Sequence, residues 1–197
     1  MTRVLFAGVL AFLAGCDPQA PSSGAAPKLS FQNVDVTGAN FAQDFALNDH
    51  KGERRTLADF RGKVVTVFFG FTQCPDICPS TLADMTQVKQ RLGTDGDRLQ
   101  VLFVTLDPER DTPAVLAQYV PSFDPSFIGL YGSPQETAKT AKDFKVYVEK
   151  VPGKTPTSYT INHTAGSYVY DRQGRLRLFL KHGQGIEPVI ADIKQLL

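Results

Sequence analysis

Cys74 and Cys78 lie in Phe71-Thr72-Gln73-Cys74-Pro75-Asp76-Ile77-Cys78-Pro79, with three residues between them, in a chain with 3 cysteines. On a helical turn, positions i and i+4 share a face, with Cβ atoms about 5–6 Å apart. A disulfide prefers a closer approach, so bridging this pair requires local unwinding. The same spacing lets both sulfurs converge on one metal ion. Inert core thiols, or a bridge that only stiffens the loop, are the plain alternatives, but a bridge this local closes too small a loop to stabilise much. Metal or thiol–disulfide chemistry is the better expectation.

The flanking residues suggest how the pair is positioned. Val64 to Phe69 is a nearly continuous apolar run between Gly62 and Gly70, the pattern of a strand buried on both faces. Beyond the cysteines, Leu82, Met85, Val88 and Leu92 recur at helical spacing, with Gly93 as a stop. The thiols thus sit where a core strand feeds a helix, and the free N–H groups and dipole of a helix start favour thiolates. Asp76 is a candidate cap or tuning charge, and Met85 belongs to the apolar face.

Taken in order, the chain predicts a strand at Phe45–Leu47 with a return strand at Arg54–Leu57, then the core strand and helix. Leu99 to Leu106 predicts a second central strand. In Asp107-Pro108-Glu109-Arg110-Asp111-Thr112-Pro113, Asp111 or Thr112 caps a helix running to about Val120. Asp107, at the strand end, reads as a turn and cap residue or as a polar neighbour of the cysteine loop. Phe127–Tyr131 follows as a short strand, then a helix from Ser133 to about Phe144, a strand over Val146–Val151 and a polar loop at Pro152–Ser158. Strands Ala165–Tyr170 and Leu176–Lys181 flank the turn residues Asp171-Arg172-Gln173-Gly174, and a last helix opens at Glu187-Pro188. This βαβ…ββα order is an α/β architecture. With a cysteine pair after the first core strand it resembles a thioredoxin-like fold: a central mixed β-sheet flanked by helices.

Of the 3 histidines, His50 falls in a predicted turn and His182 beside Gly183, both expected at the surface. His163, in Tyr159-Thr160-Ile161-Asn162-His163-Thr164-Ala165-Gly166, leads into a predicted strand. In a thioredoxin-like sheet the loop before that strand packs against the cysteine loop. Two thiolates and one imidazole form a soft S₂N set that suits Cu(I), and Cu(II) or zinc less selectively.

Cys74-Pro75-Asp76-Ile77-Cys78-Pro79, the Asp107–Pro113 segment and His163-Thr164 together resemble the Sco/SenC family, from about Phe41 to Leu197. The resemblance implies a membrane-tethered protein that delivers copper to, or keeps thiols reduced at, the binuclear copper site of cytochrome c oxidase. It also implies Cys74, Cys78 and His163 as copper ligands. Its partners would be the oxidase's copper-site subunit, other periplasmic copper chaperones and a thiol reductant. The family often has Asp immediately before the histidine; Asn162 stands here instead. Two other readings fit less well. A general thiol–disulfide oxidoreductase would use Cys74 and Cys78 as its redox pair, but the chain has no Trp for a Trp-Cys start and an extra residue between its cysteines. A peroxiredoxin-type site wants Thr where Phe71 stands and Pro where Val67 stands.

The N-terminus carries a separate message. Thr2-Arg3 and the apolar stretch Val4 to Leu13 have signal-peptide proportions over residues 1–15. Leu13-Ala14-Gly15-Cys16 resembles a bacterial lipobox, which implies lipidation of Cys16. That leaves Cys74 and Cys78 as an even pair in an oxidising compartment. With Asp17 next, the resemblance to enterobacterial lipoproteins implies retention at the periplasmic side of the inner membrane. Residues 16–40, rich in Pro, Ser, Ala and Gly as far as Pro27, are expected to form a tether before a domain spanning 41–197. With 21 basic and 20 acidic residues, the charge balance gives no reason to expect a nucleic-acid partner.

Overall fold

A computed structural model describes residues 29–155 and 158–197. The signal-like segment, Cys16 and the Pro-rich stretch to Pro27 lie outside them. No helix among the described residues is long and apolar enough to cross a membrane.

The strands are β1 (Val34–Asp35), β2 (Leu47–Asp49), β3 (Arg54–Arg55), β4 (Val64–Gly70), β5 (Leu99–Thr105), β6 (Ile128–Tyr131), β7 (Val148–Pro152), β8 (Tyr159–His163), β9 (Gly166–Tyr170) and β10 (Leu176–Lys181). The α-helices are α1 (Ile77–Arg91), α2 (Pro113–Tyr119), α3 (Pro134–Asp143) and α4 (Ile186–Leu196). The central sheet has the order β1-β10-β9-β4-β5-β6-β2-β3. β4 is parallel to β5 and antiparallel to β9, so the mixed, thioredoxin-like sheet expected from the sequence is present.

All residues of β4 and β5 are buried, as continuous apolar runs at a sheet centre require. Alternation sends Val65, Val67 and Phe69 to one face and Val64 and Phe68 to the other. The first face packs on α3 through Ala141, with Phe144 just beyond that helix, and on Leu57 and Phe60 of a short 3₁₀ turn. The second packs on α1 through Leu82, Met85 and Val88, and on α4 through Val189, Ile190 and Ile193. Met85 is core, as its spacing predicts.

The packed chain begins before the Phe41 boundary expected from composition. β1 pairs with β10, Val34 opposite Phe179. The backbone N–H groups of Gln32 and Asn33, with the Asn33 side-chain amide, donate to the carboxylate of Asp192, which is fully buried on α4. A buried carboxylate needs such donors, and they come from residues that look like linker. The return strand is also shorter than expected: Arg54–Arg55 pairs with β2, and Thr56 then opens the 3₁₀ turn Leu57–Phe60.

The larger difference lies between residues 146 and 163. Sequence patterning predicts one strand and then a loop, yet Tyr159–His163 is itself a strand, antiparallel to β7 in a separate two-stranded sheet. β7 and β8 are mostly exposed, so neither shows the apolar alternation that marks a strand packed on a core.

Candidate metal centre

The parallel pair β4 and β5 ends at one edge, Gly70 opposite Thr105. The loops that follow them are therefore neighbours at the carboxyl ends of the strands, where ligand sites of α/β sheets gather. The β4 loop carries Cys74 and leads into α1, which carries Cys78. The β5 loop carries Asp107 to Asp111.

Cys74 and Cys78 are not alike. Cys74 lies before the first turn of α1, half-buried, and its Sγ accepts the Cys78 backbone N–H at 3.4 Å, as a helix cap would. The Asp76 side chain, in the capping position, makes no such bond. Cys78 is 0% exposed. Burial, and next the hydrogen bond with Cys74, push its thiol well above the ordinary cysteine range. Space for its sulfur comes from Gly70, where a Cβ would stand 2.8 Å from Cys78 Sγ and 2.9 Å from the Phe103 ring.

His163, the last residue of β8, faces the thiols with its Nε2 3.8 Å from Cys78 Sγ. Its Nδ1 is 3.0 Å from the Thr164 carbonyl oxygen. A carbonyl only accepts, so Nδ1 carries the proton and the Nε2 lone pair is left for a metal. Burial, partly opposed by that Thr164 bond, lowers the pKa below the ordinary imidazole value of 6.5, so the ring is neutral at pH 7. Phe68 and Phe71 present T-shaped ring contacts to it at 6.2 and 6.0 Å.

The ligand atoms of Cys74, Cys78 and His163 all lie within 4.8 Å of one another. The structure thus brings together the three residues expected as ligands. The other histidines are elsewhere. His182 is exposed, its Nδ1 3.2 Å from the Thr81 hydroxyl. His50 departs from the expected solvent-facing role: it is half-buried and its Nδ1 accepts the Gly129 N–H at 3.0 Å. Asn162 projects from the opposite face of β8 to His163 and donates to Glu149 at 3.2 Å. The departure from the family's Asp therefore falls on a side chain turned away from the thiols.

The β5 loop does more than turn the chain. Asp111, a candidate cap by sequence, is 1% exposed. It accepts the Thr72 N–H at 3.0 Å, the Thr72 hydroxyl at 2.6 Å and the Thr105 hydroxyl at 2.6 Å. Thr112 is the cap instead, accepting from Val115 N–H. Asp111 therefore pins the cysteine loop two residues before Cys74.

Asp107 and Arg110 grip the hairpin. Tyr159 O–H donates to Asp107 at 2.7 Å, and Arg110 pairs with Asp107 and donates to the Tyr159 carbonyl at 3.0 Å. The Arg110 guanidinium lies 3.6 Å and the Lys150 ammonium 3.8 Å from the Tyr159 ring centroid. One loop thus fixes both the thiol loop and the strand that brings His163. Sequence reasoning missed this bridging role. The only signal was three carboxylates and an arginine packed into five residues after a buried strand.

The chain matches the family model described as SCO1/SenC over residues 34–197. It is 37% identical to the mouse protein named "Protein SCO2 homolog, mitochondrial" over 154 residues, 77% of this chain and 60% of that relative. The chain thus spans little more than half of that curated relative's length. Among solved structures, Bradyrhizobium japonicum ScoI with copper bound superposes with a TM-score of 0.72 at 41% identity, covering 78% of this chain and 98% of that one. Apo Sco1 from Thermus thermophilus superposes with a TM-score of 0.76 at 37% identity, covering 87% of this chain and all of that one.

Proposed function

The chain belongs to the SCO1/SenC family, and from that premise we propose that it is a copper metallochaperone for the binuclear copper site of cytochrome c oxidase. Cys74, Cys78 and His163 are its proposed ligands. The observation that carries this reading is the convergence of two sulfurs and one unprotonated imidazole nitrogen within 4.8 Å. Two soft sulfurs with one nitrogen match the preference of Cu(I) and fall short of a closed four-ligand zinc site. A relative 41% identical to this chain has been solved with copper bound.

The geometry also supports a transfer route. Copper is cargo here, so the site must both hold and release it. Cys74 is the accessible sulfur, while Cys78 is fully buried. A thiolate of the receiving subunit adds to the metal on the Cys74 side, and the protein ligands leave in turn. Cys78, returned to an apolar pocket, then retakes its proton. No electron changes hands, and copper stays ligated throughout.

The asymmetry of the thiols favours a second reading, a dedicated reductase of the oxidase's copper-site cysteines. Cys74 would attack the partner disulfide, and Cys78 would then displace the partner from the mixed disulfide. The partner leaves with two thiols, this protein with a Cys74–Cys78 disulfide, and a periplasmic dithiol donor must restore it.

Anaerobic Cu(I) titration of the reduced protein against a competing chelator tests the primary reading. One-to-one binding, weakened by His163→Ala more than about 100-fold, the upper range for losing an outer partner of a ligand, is the expected result. No effect of losing His163 would sink the three-ligand site and leave the reductase. The proposed location is the periplasmic face of a bacterial inner membrane, anchored through lipid on Cys16. A diacylglycerol mass on a mature chain beginning at Cys16 is the corresponding check.

A further inference from the structure

A groove of about 700 Å³ lies between α3 and the β7–β8 hairpin. Its walls include Leu106, Ala141, Val146 and Ile161, all buried apolar residues. On its lip stand Tyr147 and Val148, 60% and 41% exposed, two of four large apolar side chains exposed among the described residues. Two such residues side by side on a groove edge mark an interaction surface more than isolated ones do.

Position ties this groove to the metal centre. Val148 pairs with His163 and Lys150 with Ile161, and residues two apart on a strand share a face. The hairpin face that forms one wall of the groove is therefore the face that presents His163. Anything seated in the groove reaches the protein beside the third ligand.

The charges select the occupant. Two acidic groups at the groove are already neutralised: Glu109 by Lys150 at 2.9 Å, and Asp107 by Arg110. Lys142 and Lys145 line the α3 end with no acidic partner among the described residues, the Lys145 ammonium lying 4.4 Å from the Phe41 ring centroid. Lys145 holds φ at 55° in the turn that closes α3, where its N–H donates to Lys142 and that of Val146 to Ala141.

We propose that this groove docks the copper-receiving protein through an extended apolar segment flanked by carboxylates, which meet Lys142 and Lys145. The inference rests on the metallochaperone reading and adds to it where the partner sits. Two exposed positions test it without touching the ligands: Ala138→Arg, which fills the groove from α3, and Lys142→Glu, which reverses its rim charge.

Cu(I)-loaded full-length protein is mixed with the reduced soluble copper domain of a cytochrome c oxidase and, separately, with glutathione. Each variant should slow transfer to the protein acceptor about tenfold, as loss of a central interface contact does. The Lys142→Glu effect should shrink as salt rises. Transfer to glutathione should be unchanged. Undiminished transfer to the copper domain overturns the docking site. Equal slowing toward glutathione also overturns it, because the fault then lies at the metal. Self-association of the wild type that Ala138→Arg abolishes assigns the groove to a second copy instead. Failure of the wild type to deliver copper to either acceptor refutes the metallochaperone reading itself, a result distinct from any variant-specific loss.

Discussion

Asp111→Ala is the sharpest test of how the metal centre is held. The carboxylate is 1% exposed and accepts three hydrogen bonds, two from Thr72 and one from Thr105. Each bond to an ionised acceptor contributes about 1.5–3 kcal/mol. The sum overstates the loss, since removing Asp111 also removes a desolvated charge, and both hydroxyls can rotate toward other acceptors. A net destabilisation of about 3 kcal/mol is expected, which lowers Tm by about 6–12 °C for a domain of this size. The effect on copper is separate. Freed at Thr72, the cysteine loop must be reordered when metal binds, at about 1–2 kcal/mol for each residue fixed. With one or two residues slack, Cu(I) affinity falls about tenfold to a hundredfold. Thermal unfolding of the reduced apoprotein and anaerobic Cu(I) competition read the two effects independently. Thr72→Val removes only the hydroxyl bond and should show a smaller shift, with coupling above about 0.5 kcal/mol in the double variant. A Tm and Cu(I) affinity both unchanged in Asp111→Ala would refute the clamp.

Three further outcomes follow from the same geometry. Gly70→Ala places a Cβ 2.8 Å from Cys78 Sγ and 2.9 Å from Phe103; overpacking of about 1–3 kcal/mol should appear in urea unfolding, with weakened Cu(I) binding, whereas wild-type values in both would show that Cys78 has room to move. Arg110→Ala removes the cation stacked on Tyr159 and the bond to its carbonyl, so backbone amides of β7 and β8 should exchange hydrogen faster while those of β4 do not; uniform exchange across both sheets would contradict a local latch. The pH dependence has a definite sign. Burial keeps Cys78 protonated in the metal-free protein at neutral pH, so Cu(I) binding must expel that proton, and this group alone should raise affinity about tenfold per pH unit from pH 6 to 9. His163, lowered by burial from 6.5, adds no proton competition above that value. Below it the unfolded chain takes up the histidine proton first, so His163 should diminish stability as pH falls from 6.5 toward its folded pKa. A flat affinity profile would contradict protonated Cys78.

Much of the site was legible because its signals are local. A strand buried on both faces must be largely apolar, and Val64–Phe69 is, save Thr66; Cys74 and Cys78 follow it closely, and Leu82, Met85 and Val88 keep helical phase behind them. Those features locate the thiols at the carboxyl end of a central strand without any coordinates. The motif resemblance supplied His163, but not its environment. The second strand of its hairpin was invisible because an exposed two-stranded sheet needs no apolar alternation. The residues upstream of Phe41 looked like linker because their anchor, Asp192, lies some 160 positions away.

By itself, then, the sequence determined the donor chemistry, the α/β order of elements and the strand that carries the thiols, since these depend on residue type and short-range periodicity. Only the tertiary structure decided which sulfur is reachable, which imidazole nitrogen faces the buried one, and that Asp111 and Arg110 hold the two halves of the site in register. Burial, tautomer and clamping all arise from contacts between segments distant in the chain, and hydrophobic periodicity carries no record of such contacts.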